Sequence, residues 1–181
     1  MKSLAASLFA VIFAVTAMAI ETPDYKVLEQ EGKFEVRDYP AMTVARTTMG
    51  DGDFMRLFRY ISGGNEAEQK ISMTAPVLVQ HQGEDSGMSF VVPREVAAAK
   101  VPAPKESEVS VDEMPAAKFA AFTYSGRRTD SNEADALAKL RAWMEKKSLH
   151  AEGEPVFAYY DPPWTLPFMR RNEVMLRIVR D

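Results

Sequence analysis

One order of patterns appears twice along this chain, and it limits the fold more than any other feature. Each half opens on an alternating ribbon broken by a proline. A glycine, a helical stripe and two strand-like runs around a turn follow. In the first half the ribbon is YKVLEQEGKFEVRDYPAMTVARTTMG (25–50), with Val27, Phe34, Val36, Met42 and Val44 as its apolar members. Alternation of this kind buries one face of a strand, and Pro40 marks a bend or a missing ladder donor. DFMRLFRYISGG (53–64) places Phe54, Leu57, Phe58 and Ile61 at helical spacing, with Asp53 as a cap and Gly63-Gly64 as a stop. KISMTAPVLVQH (70–81) reads as a strand, GEDSG (83–87) as a turn and MSFVVP (88–93) as the antiparallel mate. REVAAAKVPAPKES (94–107) reads as a connector rich in proline and alanine.

The second half repeats the order. VSVDEMPAAKFAAFTYSG (109–126) holds two β-like runs around Pro115, and TDSNEADALAKLRAWMEKKSL (129–149) is a longer helix. Asp130 or Ser131 can cap that helix, and Ala136, Leu137, Leu140, Trp143 and Met144 form its stripe. EPVFAYYDPP (154–163) and NEVMLRIVR (172–180) are strands joined by the loop WTLPFMRR. Residue identities match poorly between the halves, so the repeat is structural, over about 25–93 and 108–180. The expected class is α+β: one antiparallel sheet or distorted barrel from two halves, with two main helices against it.

The first 19 residues, MKSLAASLFAVIFAVTAMA, have one lysine before an apolar run that ends in Ala17-Met18-Ala19. This is the pattern of a cleaved signal peptide, and the run is short for a spanning helix. The expectation is export to a periplasm or the exterior, cleavage after Ala19 and no stable membrane insertion afterwards. Removing Lys2 leaves 21 basic against 26 acidic residues, a net charge of about −5. That balance argues against a nucleic-acid partner. There is no cysteine, so no disulfide, thiolate nucleophile or thiolate ligand exists.

Catalytic patterns are missing. The two histidines, His81 and His150, belong to no paired metal motif and read as solvated surface side chains. No serine lies in a nucleophile elbow, and GDGDF has acids where a phosphate loop wants none. No structural metal is expected. The 11 methionines and 18 aromatics admit two readings, core filler or an adaptable apolar wall for a flat ligand. The first helix sharpens the second. Off its core stripe it carries Met55, Arg56, Arg59 and Tyr60, which can be an ordinary solvent face or a site for a greasy ligand with carboxylates at its edge.

KISMTAPV resembles the signature of the SOUL/haem-binding-protein family. Its opening segment is echoed in YKVLEQEGKFEVRDYPAMTVART, its helix end in FRYISGGNE, its strand-to-helix junction in FTYSGRRTD and its terminus in YYDPPWTLPFMRRNEVMLRI. The resemblance runs over about 25–180 and makes 20–181 a single domain. It implies a twisted antiparallel barrel-like sheet with two helices, and non-covalent binding of haem or another tetrapyrrole. By position Arg59, with Arg56 nearby, matches basic residues that approach the propionates, and Met55 and Tyr60 lie in the same segment. Some members use a histidine of the early strand region as axial ligand, whereas FEVRDYPAMTVARTTMG has none. His81, His150, Met55 or Tyr60 are the remaining ligand types, and binding without an axial protein ligand is an equal reading. The expected function is a binding protein and not an enzyme. The competing expectation is a general module for amphiphilic molecules, like small-molecule effector domains, with haem binding incidental. A tetrapyrrole-modifying activity is the third alternative, for which no acid-base pair in the sequence argues.

Overall fold

The structure is a computed structural model that describes residues 20–48, 50, 52–83 and 86–179. The expected leader, Met49 and the Glu84-Asp85 tip of the predicted turn lie outside the described residues. Nine strands form one sheet: β1 (Lys26–Glu31), β2 (Phe34–Tyr39), β3 (Met42–Thr47), β4 (Val77–Gln80), β5 (Gly87–Val91), β6 (Val109–Met114), β7 (Ala117–Tyr124), β8 (Ala151–Tyr159) and β9 (Asn172–Ile178). Among the described residues three α-helices accompany them, α1 (Asp53–Ile61), the short α2 (Arg94–Ala98) and α3 (Asp130–Lys146). The strand order is β1-β2-β7-β9-β8-β4-β5-β3-β6, with every neighbouring pair antiparallel. With β1 set aside, the order reads the same from either end when the halves are exchanged.

The two prolines explain this order. Phe34↔Phe122 through Tyr39↔Ala117 pair β2 with β7, and Met42↔Met114 through Thr47↔Val109 pair β3 with β6. Both runs keep one register, so 34–47 and 109–124 form a single antiparallel ribbon interrupted at Pro40-Ala41 and Pro115-Ala116. Proline removes a ladder donor and fixes its backbone, so the ribbon bends there. Each half therefore lends its first strand to the other half. The sheet's middle is the short β4–β8 pair, Val77↔Tyr159 to Val79↔Phe157. β1 and β6 remain as edges. The sheet is thus curled but open, and the expected barrel is not closed.

Alternation along β4 and β8 sorts two faces. Val77, Val79, Phe157 and Tyr159 point to the helix side, whereas Leu78 and Ala158 point away from it. α3 covers β7 and β9 with Ala136, Leu140, Trp143 and Met144, against Phe122, Val174 and Leu176. Its cap is Thr129, one residue before the expected pair; its hydroxyl accepts from Asn132 N at 3.3 Å. α1 lies over β3 and β5 with Leu57, Tyr60 and Ile61 buried. Its end is fixed by close backbone approach: a Cβ on Gly64 would stand 2.7 Å from the Arg59 carbonyl. Buried Asn65 then holds the turn, donating to the Tyr60 and Gln69 carbonyls at 3.0 and 2.7 Å. The strand expected over 70–81 begins only at Val77, after a cis Ala75-Pro76 bond, and the expected connector contains α2.

On the helix-free face a charge cluster ties the halves together. Glu173 of β9 is fully buried. Arg37 of β2 donates to both its oxygens at 2.6 and 3.0 Å, across the intervening β7. Arg171 donates at 2.7 and 3.0 Å, Tyr160 at 3.0 Å and Thr123 at 3.3 Å. Burial pushes the Glu173 carboxyl up, but its bonds and charge attraction with Arg37 and Arg171 outweigh burial and hold it below its ordinary value. A carboxylate depressed in the folded state stabilises at pH above its unfolded value, about 4.3, and that contribution is lost as pH falls toward the folded value. Removing one partner of a buried pair costs about 3–5 kcal/mol. Glu173→Gln should therefore lower the urea-unfolding free energy at pH 7 by about that amount. Its stability should also change less than the parent's as the pH falls below about 4. A variant with parental stability at neutral pH would show that the cluster does not hold the halves together.

Candidate functional site

α1 is amphipathic in a way its spacing does not announce. The expected stripe counted Phe54 and Phe58 as core and placed Tyr60 on the outer face. The structure exchanges them: Tyr60 is buried and its hydroxyl donates to the Pro102 carbonyl at 2.8 Å. Burial raises the Tyr60 hydroxyl pKa above its ordinary value. Tyr60 therefore does not share the outer face with Met55. Phe54, Met55 and Phe58 are instead 41%, 49% and 44% exposed. Phe54 and Phe58 stack one turn apart with centroids 6.2 Å apart and planes 12° from parallel, and Phe54 leans edge-on against Phe90 of β5. The outcome is an apolar surface open to solvent with two nearly parallel rings, which soluble proteins reserve for ligands or partners when it is contiguous.

The two arginines of α1 differ. Arg59 is exposed but committed: it forks onto Glu106, with Nε and one terminal nitrogen donating at 2.8 and 3.0 Å. Arg56 is half-buried, and its guanidinium lies beside Gly50. To meet a ligand carboxylate, Arg59 must exchange Glu106 for it.

His81 is exposed at the surface as expected, but it also has a partner. At the end of β4 its Nε2 lies 2.8 Å from the buried Glu133 in the first turn of α3. The other Glu133 oxygen accepts from the Tyr159 hydroxyl, and Arg128 stands 3.7 Å away while its guanidinium covers the Tyr159 ring at 4.8 Å. Burial and donation to Glu133 push the Tyr159 hydroxyl well above its ordinary range. A groove of about 490 Å³ beside this cluster is lined by His81, Leu137, Arg141, Glu154 and Phe157. His150 is exposed just before β8, on a separate part of the chain. Among the described residues no three acidic or histidine side chains are placed to hold a metal ion.

The helix-free face is closed at its centre, and a groove of about 480 Å³ lined by Gln80, Asp112, Phe119, Glu152, Val156 and Arg177 opens beside it. Tyr25, Tyr39, Met42, Leu78, Phe119, Tyr160 and Met175 close around only about 20 Å³, the space of one water. Its carboxylate, Glu173, is already occupied by two arginines. Sequence reasoning missed both Glu133 and Glu173, because neither belongs to a spacing motif; only the fold brings their partners to them.

Fold and site together describe a two-half α+β domain with an exposed apolar face on its first helix. The family model described as SOUL heme-binding protein matches residues 20–177, and the chain belongs to that family. Its relatives include human "Heme-binding protein 2", 31% identical over 88% of this chain and 87% of the relative. "Heme-binding protein 1" of Xenopus tropicalis is 24% identical over 81% and 84%. These relatives are named for binding and not for a reaction. Among solved structures, the EcmrR C-terminal domain superposes with a TM-score of 0.57 at 14% identity, covering 87% of this chain and 99% of that one. A structure titled as a hydrolase from Listeria innocua gives 0.54 at 14% identity, over 84% and 94%. At such identities the likeness is one of fold.

Glu133→Ala removes the acceptor of the Tyr159 hydroxyl and of the His81 ring together. Leaving a buried donor unpaired costs about 1–3 kcal/mol, so the variant should lose that much stability in urea denaturation. Parental stability would mean that the cluster is solvated.

Proposed function

We propose that this protein is an exported binding protein for haem or a related tetrapyrrole, held on the outer face of α1. The observation that carries the reading is the exposed, stacked Phe54–Phe58 pair with Met55 beside it, on a chain whose relatives are named as heme-binding proteins. A porphyrin is flat and apolar with two carboxylates on one edge. The aromatic pair suits the ring, Met55 supplies a soft, deformable contact, and Arg56 supplies a fork for a propionate. Arg59 contributes a second fork if the propionate displaces Glu106.

The face predicts modest affinity. Micromolar binding requires about 8 kcal/mol net. At roughly 25 cal/mol per Å², that means several hundred Å² of apolar contact before association costs. One ring face supplies that area and little more. Reversible loading of this kind suits a carrier or buffer. Nothing on the α1 face is a histidine, and the Nε2 of His81 is engaged by Glu133, so the reading uses no histidine ligand to the iron. The small volume beside Tyr25 and Tyr39 speaks against the centre of the helix-free face as the site.

Haemin titration followed in the Soret band tests the site. Met55→Asp and Phe58→Asp should each weaken binding roughly tenfold or more, about 1.4 kcal/mol, while unfolding midpoints stay near the parent's because both side chains are already half exposed. His81→Ala should leave the bound spectrum unchanged. Parental affinity in both α1 variants would overturn the site. Export is tested separately. N-terminal sequencing of protein from the outer compartment should begin at Ile20, and retention of an uncleaved chain in the cytoplasm would contradict it.

A further inference from the structure

The loop between β8 and β9 has no role in the site on α1. Residues 162–169, PPWTLPFM, contain no charge. Four of their large apolar side chains face solvent: Trp164 is 84% exposed, Leu166 55%, Phe168 74% and Met169 64%. An apolar loop is usually buried or loose, and this one is neither. Arg170 braces it from within, donating from Nε to the Thr165 carbonyl at 2.8 Å and from a terminal nitrogen to the Pro163 carbonyl. The Pro167 carbonyl accepts from Gly126 N at 2.9 Å, which pins the loop to the turn after β7. Three prolines and a single 3-10 turn, Pro167–Met169, stiffen the rest. The fold therefore spends backbone bonds and an arginine on holding greasy side chains in water.

The flanks are basic. Arg127 and Arg128 line the loop together with Arg170, and Arg171 follows it. Against these four stand Asp161, which accepts from the Arg171 backbone N–H, Glu133, 3.7 Å from Arg128, and Glu173, which is buried against Arg171. The local balance is positive on a molecule whose formal net charge is −4. We propose that this loop docks the protein on an anionic lipid surface, with Trp164, Leu166, Phe168 and Met169 entering the interface and the arginines meeting headgroups. Tryptophan and phenylalanine settle at the boundary between headgroups and acyl chains, and nearby arginines add attraction to anionic lipids. A projecting knob ringed by cations fits a bilayer surface. No described helix is long and apolar enough to cross a membrane, so the contact is peripheral.

The chain has two tryptophans, and Trp143 is on the buried face of α3 against the sheet. A change in emission on adding vesicles therefore reads Trp164, and the leader contributes nothing because it has no tryptophan. Ligand-free protein mixed with vesicles of phosphatidylcholine and phosphatidylglycerol should show a blue shift and float with the lipid. Pure phosphatidylcholine should give less of both. Trp164→Ser with Phe168→Ser should reduce flotation roughly tenfold or more, and Arg127→Gln should weaken its dependence on salt. Trp164→Phe should keep flotation and lose the emission change. No shift with anionic vesicles, or equal flotation of the double variant, overturns the proposal. A dimer undone by Phe168→Ser, with emission indifferent to lipid, assigns the knob to a second copy and overturns it equally. Because no tetrapyrrole is present, the result is independent of the reading of α1.

Discussion

The fold depends on a carboxylate that has been taken out of water. Glu173 sits on the helix-free face of β9, where Arg37 reaches it from β2 and Arg171 from two residues upstream. An isolated buried carboxylate would be prohibitive, and two arginines, a tyrosine and a threonine make it tolerable. The contact works across β7 and joins a strand of the first half to a strand of the second. It also fixes what the interior can do. With its carboxylate engaged and its walls closed around the volume of one water, the centre of the helix-free face is core, and the exposed apolar surface of α1 lies on the other side of the sheet.

The outside is set by the helix register of α1. Leu57, Tyr60 and Ile61 turn inward because the Tyr60 hydroxyl has a carbonyl to bond at Pro102 and because Asn65 and Gly64 lock the helix end. That rotation leaves Phe54, Met55 and Phe58 in solvent. A surface that costs stability to expose, built into a rigid helix, is a better sign of a binding role than any motif in the chain. The tetrapyrrole reading joins that surface to the heme-binding family to which the chain belongs.

Much of this was legible in the sequence. Alternation, the two interrupting prolines and the two helical stripes foretold the α+β class and the order of elements. The open edges were not foretold, since periodicity says which face is buried but not which strands become neighbours. The helix face was half legible. A stripe at i, i+3, i+4 and i+7 fits Phe54, Leu57, Phe58 and Ile61 as well as it fits Leu57, Tyr60 and Ile61. Only the partner of the Tyr60 hydroxyl decides between them, and Pro102 lies 42 residues away. His81 was half legible for the same reason: it is exposed as expected, but its partner was not foreseen. Only the fold brings Glu133 to its ring from 52 residues on.

The most direct measurement is an amide NMR map of the protein titrated with haemin and with metal-free protoporphyrin. Binding on α1 predicts that amides of Phe54 to Arg59 shift with the metal-free ring and broaden with the paramagnetic one, while those around Glu173 stay fixed. Broadening centred on His81 and the α3 groove, with α1 unmoved, would contradict it.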